Sequence, residues 1–290
     1  MFSVRQKLFI ARLLNRSLRL LRGLLGRDMH VRCRRRGINW DLDLNEGFDL
    51  SIYLLGAYEP RSLNAYRPLI RPGFVVFDIG ANIGAHALHF AQLVGEHGRV
   101  YAFEPTRFAL EKLRQNLALN PDLGRRMTFE QYFLVADRLV QPPADITSSW
   151  PVAELSGDPN EAHQGKPQPS AGATSVTADD FCASAGVTRI DFVKIDVDGH
   201  EYSVLRGFQH NLERFRPIIL IEFAPFVFAG PNAGDFDEMV RFLAALDYDF
   251  VDTGNGRTLA QDPAMLRRNI VAGAGINALL TPRPRPASTG

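Results

Sequence analysis

The run Asp78-Ile79-Gly80-Ala81-Asn82-Ile83-Gly84 puts an acid, two glycines and a polar side chain into one short turn. A glycine at 80 lets the backbone reverse sharply and come close to a ligand, because no Cβ intervenes. Gly84 lets a following helix pack tightly, and the free N–H groups of that helix would face the ligand. Asp78 can accept hydrogen bonds from the turn and orient it. Glu104, with Pro105 behind it, comes 24 residues after Gly80, where a carboxylate can accept both hydroxyls of a ribose. The alternative for Glu104 is a charge at a helix N-terminus. Asp78, Gly80, Ala81, Asn82, Gly84, Glu104 and Pro105 are therefore the candidate nucleoside-binding residues.

A second group of chemically capable residues lies further on. In Phe192–Asp198 strand alternation places Phe192, Lys194, Asp196 and Asp198 on one face. A lysine in a central strand is costly unless paired, so Asp196 or Glu222 is its expected partner, and the pair is as compatible with structure as with catalysis. Asp198-Gly199-His200-Glu201 has the spacing of a capping box. His200 would then sit on the first turn of a helix, where an imidazole is a natural base near neutral pH. Glu222 could orient an acceptor or balance Lys194. Lys194, Asp196, His200 and Glu222 are the candidate catalytic residues, while His89 reads as packing. Cys33 and Cys182 show no metal-ligand or disulfide spacing, so no metal and a reducing compartment are expected.

These residues need a scaffold that brings strand ends together. From Phe74 the pattern alternates strand and helix: strands at 74–79, 99–103, 127–135, 190–197 and 218–223, and helices at 84–93, 107–119 and 177–186. A helix near 235–246 and strands near 248–252 and 270–279 complete it. This predicts an α/β fold, a Rossmann-like, doubly wound, mostly parallel seven-stranded sheet with ligands at the carboxyl ends of its strands. Residues 141–172 hold six prolines and three glycines and read as a long loop, a functional cover or disordered. Residues 281–290 read as a disordered tail.

Hydrophobic residues at 46% and charged residues at 22% indicate a globular chain, and no apolar run is long enough to span a membrane. The net charge of +1 hides an asymmetry, since residues 1–36 carry eleven Lys or Arg and one acid. Leucines at helical spacing with interleaved arginines predict a basic amphipathic helix within a lead-in, 1–60, ahead of a domain at 61–280. That helix could lie on anionic lipid, pack on its own domain or resemble a mitochondrial presequence. The expected location is cytoplasmic, peripheral to the membrane if the helix meets lipid. No nucleic-acid partner is expected, because aromatic residues do not alternate with the basic ones.

The loop resembles the D-x-G-x-G-x-G motif of class I S-adenosylmethionine (SAM)-dependent methyltransferases, with Asn82 at the middle glycine. It lacks the glycine spacing of an NAD site, although an NAD(P)-dependent oxidoreductase remains the alternative, as does a SAM-binding protein without catalysis. Val76–Gly84, Phe103-Glu104-Pro105, Asp191–Glu201 and Val204-Leu205-Arg206-Gly207 together resemble the FkbM-type methyltransferase family over residues 60–225. That resemblance implies a class I fold, SAM as methyl donor and O-methylation of a hydroxyl on a sugar, glycan or secondary metabolite. Residues 141–172 and the basic N-terminus lie outside the shared motifs.

Overall fold

A computed structural model describes residues 3–153, 165–228 and 232–284. The chain begins with α1 (Val4–Leu24), started by a reciprocal capping box between Ser3 and Gln6. An antiparallel hairpin, β1 (His30–Arg35) and β2 (Ile38–Asp43), leads to α2 (Gly47–Leu55) and α3 (Pro60–Tyr66). Ile38, Trp40 and Leu42 are completely buried in one cluster with Val76, Phe90 and Phe192. The first 60 residues thus share a core with the strands that follow.

Next come β3 (Val75–Ile79), α4 (Ala87–Leu93), β4 (Arg99–Phe103), α5 (Arg107–Ala118), α6 (Pro121–Gly124) and β5 (Met127–Glu130). Then follow β6 (Tyr132–Leu134), β7 (Asp145–Ser149), β8 (Lys166–Pro169), β9 (Thr174–Val176), α7 (Ala178–Ser184) and β10 (Phe192–Ile195). The chain continues with α8 (Glu201–Arg206), α9 (Gln209–Phe215), β11 (Ile218–Phe223), α10 (Asp235–Ala245), β12 (Tyr248–Asp252), α11 (Pro263–Asn269) and β13 (Ile276–Pro282). Seven strands form one sheet in the order β12-β13-β11-β10-β3-β4-β5. Only β13 is antiparallel to its neighbours, so the sheet is the mostly parallel, doubly wound one expected. The strand order reverses between β3 and β10, which opens a crevice at their carboxyl ends. Register places Lys194 beside Asp78 and Ile79 beside both Ile195 and Phe103.

Elsewhere the local structure departs from the expectation. The expected strand 127–135 is broken at Gln131: β5 continues the main sheet, whereas β6 leaves it to pair in parallel with β9. The expected loop 141–172 contains an antiparallel hairpin, β7 with β8; its residues 154–164 lie outside the described residues. Helix α4 starts at Ala87, three residues after Gly84, because the intervening segment is a series of turns. Residues 263–269, just before the expected strand at 270–279, form α11, with Pro263 at its first position and Asp262 accepting from Met265 N–H at 2.8 Å. Strand β13 then extends to Pro282, so Thr281 and Pro282 pair with β12 instead of starting a tail. Residues 285–290 lie outside the described residues.

Candidate active site

The turn after β3 is held by its own hydrogen bonds. Gly80 and Ala81 N–H both donate to Phe103 O at 3.0 Å, and Gly84 N–H donates to Ala81 O at 2.9 Å. Asn82 N–H donates to Glu104 Oε2 at 2.9 Å, and Ile83 N–H to Asn82 Oδ1 at 2.8 Å. All five backbone donors from 80 to 84 are therefore occupied within the protein. Asn82 adopts φ +48°, a left-handed conformation that asparagine tolerates better than most residues, and its Nδ2 donates to Ser148 O. Gly80 is required for a further reason. At φ +79° its Cβ would fall 1.9 Å from Asp196 O, so the glycine lets the ends of β3 and β10 touch.

Glu104 is buried, and three donors orient it. Besides Asn82 N–H, its Oε1 accepts Thr106 N–H at 2.9 Å and Thr106 Oγ1 at 2.6 Å. Thr106 Oγ1 lies 2.8 Å from Ser148 Oγ, on the β7 strand. The carboxylate thus organises the start of α5 and the loop as well as lining the cavity. Each oxygen has two lone pairs, so Oε2 retains capacity for a ligand hydroxyl. Glu104→Ala would strand these buried donors at ~1–3 kcal/mol each, which makes Glu104→Gln the better test. We expect Glu104→Gln to weaken SAM binding about tenfold or more, as a charge-assisted acceptor is lost, with a smaller loss of melting temperature than Glu104→Ala, because its NH2 faces only one of the two backbone N–H donors. Unchanged affinity in calorimetric titration would remove Glu104 from the site.

Lys194 is buried and reaches three acceptors: Asp196 Oδ2 at 3.3 Å, Gly80 O at 3.3 Å and Asp78 Oδ1 at 3.6 Å. Its partners are Asp78 and Asp196; no ion pair joins it to Glu222 among the described residues. Burial raises the Asp78 and Asp196 pKa values against the opposing pull of Lys194. Burial also raises the Glu222 pKa well above the ordinary carboxylate value, reinforced by Asp196, Glu59, Asp198 and Glu201. The expected capping box at 198–201 is displaced: α8 begins at Glu201 with His200 at its N-cap, and Glu201 accepts Val197 N–H at 3.1 Å and Gly199 N–H at 3.0 Å. With φ +49°, Asp198 instead turns the chain. His200 packs edge-on against Phe133, and burial lowers its pKa. His89 is a packing residue, buried near Trp40, and burial lowers its pKa to about 3.

A single cavity of about 540 Å³ joins these groups, a size typical of small-molecule sites. Gly80, Ala81, Asn82, Glu104 and Pro105 line it, as do Lys194, Asp196, His200 and Glu222; Asp78 and Gly84 lie behind the wall. Ile146, Thr147, Ser148 and Trp150 form a side of it, so the first strand of the 141–172 excursion covers the loop. That strand is anchored by Glu46, which accepts Ser149 Oγ and Trp150 N–H. Glu59 and His86 also line the cavity and were not legible as site residues in the sequence. His86 Nε2 stands 3.7 Å from Glu59 Oε2, and its Nδ1 lies 3.1 Å from Tyr66 Oη. Glu59 adopts φ +46°, unusual outside glycine, immediately before Pro60. In the sequence only its place before Pro60 set it apart.

The comparisons with known proteins agree with this arrangement. The sequence model of the methyltransferase FkbM domain matches residues 78–250, more than half of the chain. The chain belongs to the FkbM methyltransferase domain family. Hexuronic acid methyltransferase AglP of Haloferax volcanii is 28% identical over 50% of this chain and 54% of its own. 2-O-methyltransferase NoeI of Sinorhizobium fredii is 29% identical over 53% of this chain and 67% of its own. 31-O-demethyl-FK506 methyltransferase FkbM of Streptomyces tacrolimicus is 31% identical over 52% and 65%. The chain thus spans between about half and two thirds of the length of these relatives. The FkbM match begins at Asp78, so α1 and the β1–β2 hairpin lie outside it.

Proposed function

We propose that this FkbM-family chain is a SAM-dependent methyltransferase that methylates a hydroxyl of a sugar, a glycan or a secondary metabolite. One observation carries the choice of cofactor. Every N–H of the 80–84 loop is already bonded, and five carboxyl groups, Glu59, Glu104, Asp196, Asp198 and Glu222, line the cavity against Lys7 and the already paired Lys194. A dinucleotide needs free N–H groups for its pyrophosphate. A cationic sulfonium with an ammonium tail suits a wall of carboxylates. The acceptor class follows from relatives named for a hexuronic acid, a 2-O position and 31-O-demethyl-FK506.

When bound, SAM supplies an electrophilic methyl carbon. Glu104 would hold its ribose, and Gly80, Ala81 and Asn82 would form the wall beside it. Lys194 fixes Asp196 at the cavity edge. Neutral His200 would accept the acceptor's hydroxyl proton on an imidazole nitrogen, and Glu222 would orient the acceptor. Positioning and exclusion of water supply much of the remaining rate. Calorimetric titration with SAM and with NAD tests the cofactor: binding of SAM alone is expected, and binding of NAD alone overturns the reading. Methyl transfer to a panel of sugars and polyols tests the reaction, and SAM binding without turnover on any of them would leave a binding protein.

The pH profile should carry the mark of His200. Burial favours its neutral form, so the base survives to pH values below the ordinary imidazole pKa of ~6.5. The acid limb of kcat/KM is expected below that value, and His200→Ala should abolish that limb along with most activity. An acid limb at or above the ordinary value would exclude His200 as the base.

A further inference from the structure

Helix α1 packs on the domain through Val4, Leu8, Ala11, Leu18 and the buried Asn15, and a second apolar face is left turned outward. Asn15 is buried and donates Nδ2 to Leu44 O at 2.7 Å, and Val4 N–H donates to Gly273 O at 2.9 Å, which fixes the roll of the helix. Phe9, Leu13, Leu20 and Leu24 recur at intervals of four, seven and four, so they form one stripe, and they are 52–85% exposed. Arg5, Arg12, Arg16 and Arg19 follow one edge of that stripe at the same helical spacing. An exposed apolar stripe of this length marks a contact surface.

We propose that this face of α1 docks on an anionic lipid surface. The arginine edge complements lipid phosphate, and eleven basic residues against one acid in 1–36 supply the attraction. A second copy of the chain is the poorer occupant, since a two-fold contact on this stripe would bring the arginine edges of both copies together. No helix among the described residues is long and apolar enough to cross a membrane, so α1 would lie in the interface. The cavity is lined from α1 by Leu8, Ala11 and Leu14, on a different side of the helix from the stripe, so the docking does not depend on the methyltransferase reading.

Co-sedimentation with phosphatidylcholine vesicles, with and without phosphatidylglycerol, tests it on the full chain. Pelleting is expected with phosphatidylglycerol and should weaken as salt rises, because the charge contribution is screened. The triple substitution Leu13→Gln/Leu20→Gln/Leu24→Gln touches no cavity residue. It should lower vesicle partition about tenfold or more while SAM affinity stays the same. Three results overturn the proposal: wild type stays in solution with both vesicles, the triple variant pellets as well as wild type, or sedimentation velocity shows a dimer that the substitutions dissolve. Vesicle binding needs no methyl transfer, so failure here leaves the proposed activity standing, and an inactive protein that pellets leaves the docking standing.

Discussion

Asp196→Asn combined with His200→Ala is expected to lower turnover by ~10²–10⁴-fold, the range that a general base contributes, while SAM affinity changes only about threefold or less. Both side chains line the cavity beyond the 80–84 loop. His200→Ala is the cleaner single change. It removes a ring that touches Phe133, whereas Asp196→Asn also releases Lys194. Single-turnover kinetics and calorimetry on the same samples decide the matter. Parallel losses in rate and affinity would move both residues into the cofactor subsite or the scaffold.

The second large effect is on stability. Lys194→Met should destabilise the fold by ~3–5 kcal/mol, because it leaves the buried Asp78 carboxyl without its cation. That corresponds to a fall in melting temperature on the order of 10 °C. Removing both charges, as Asp78→Asn with Lys194→Met, should recover much of the loss, since the uncompensated charge and not the missing pair is the main cost. Such recovery, measured by denaturant melts, would class Lys194 as a residue that positions Asp196. A single variant as stable as wild type would show that Asp78 is already neutral in the fold.

Much of this was legible from local pattern. Apolar runs such as Val75–Ile79 and Ile218–Phe223, separated by helical periods, dictate a parallel sheet because each strand is buried on both faces. The loop and Glu104 could be found because a tight turn and a strand-end acid depend on neighbouring residues. What escaped depends on distance in space. Ser148 meets Asn82 and Thr106 only because the 145–149 strand folds back over them, and no periodicity in a proline-rich stretch announces that. Glu59 meets His86 across a helix, a strand and the glycine loop, and no motif beside Glu59 announces it. Which apolar side of α1 faces inward was beyond reach as well, since leucines recur around most of the helix.

The short parallel pairing of β6 with β9 has a consequence for how this chain can diverge. Tyr132–Leu134 lies against Thr174–Val176, extended by Val135 N–H donating to Val176 O at 3.1 Å, so both ends of the excursion between them are clamped to each other. With the ends fixed, the excursion behaves as a closed loop, and doubling the length of such a loop costs only ~0.6 kcal/mol of closure entropy. The seven-stranded sheet is therefore insulated from whatever is inserted at this place, while the wall over Asn82 and Glu104 is not. The fold carries a socket: segments of different length and composition can be exchanged there to remodel the cavity wall, at almost no thermodynamic penalty to the sheet.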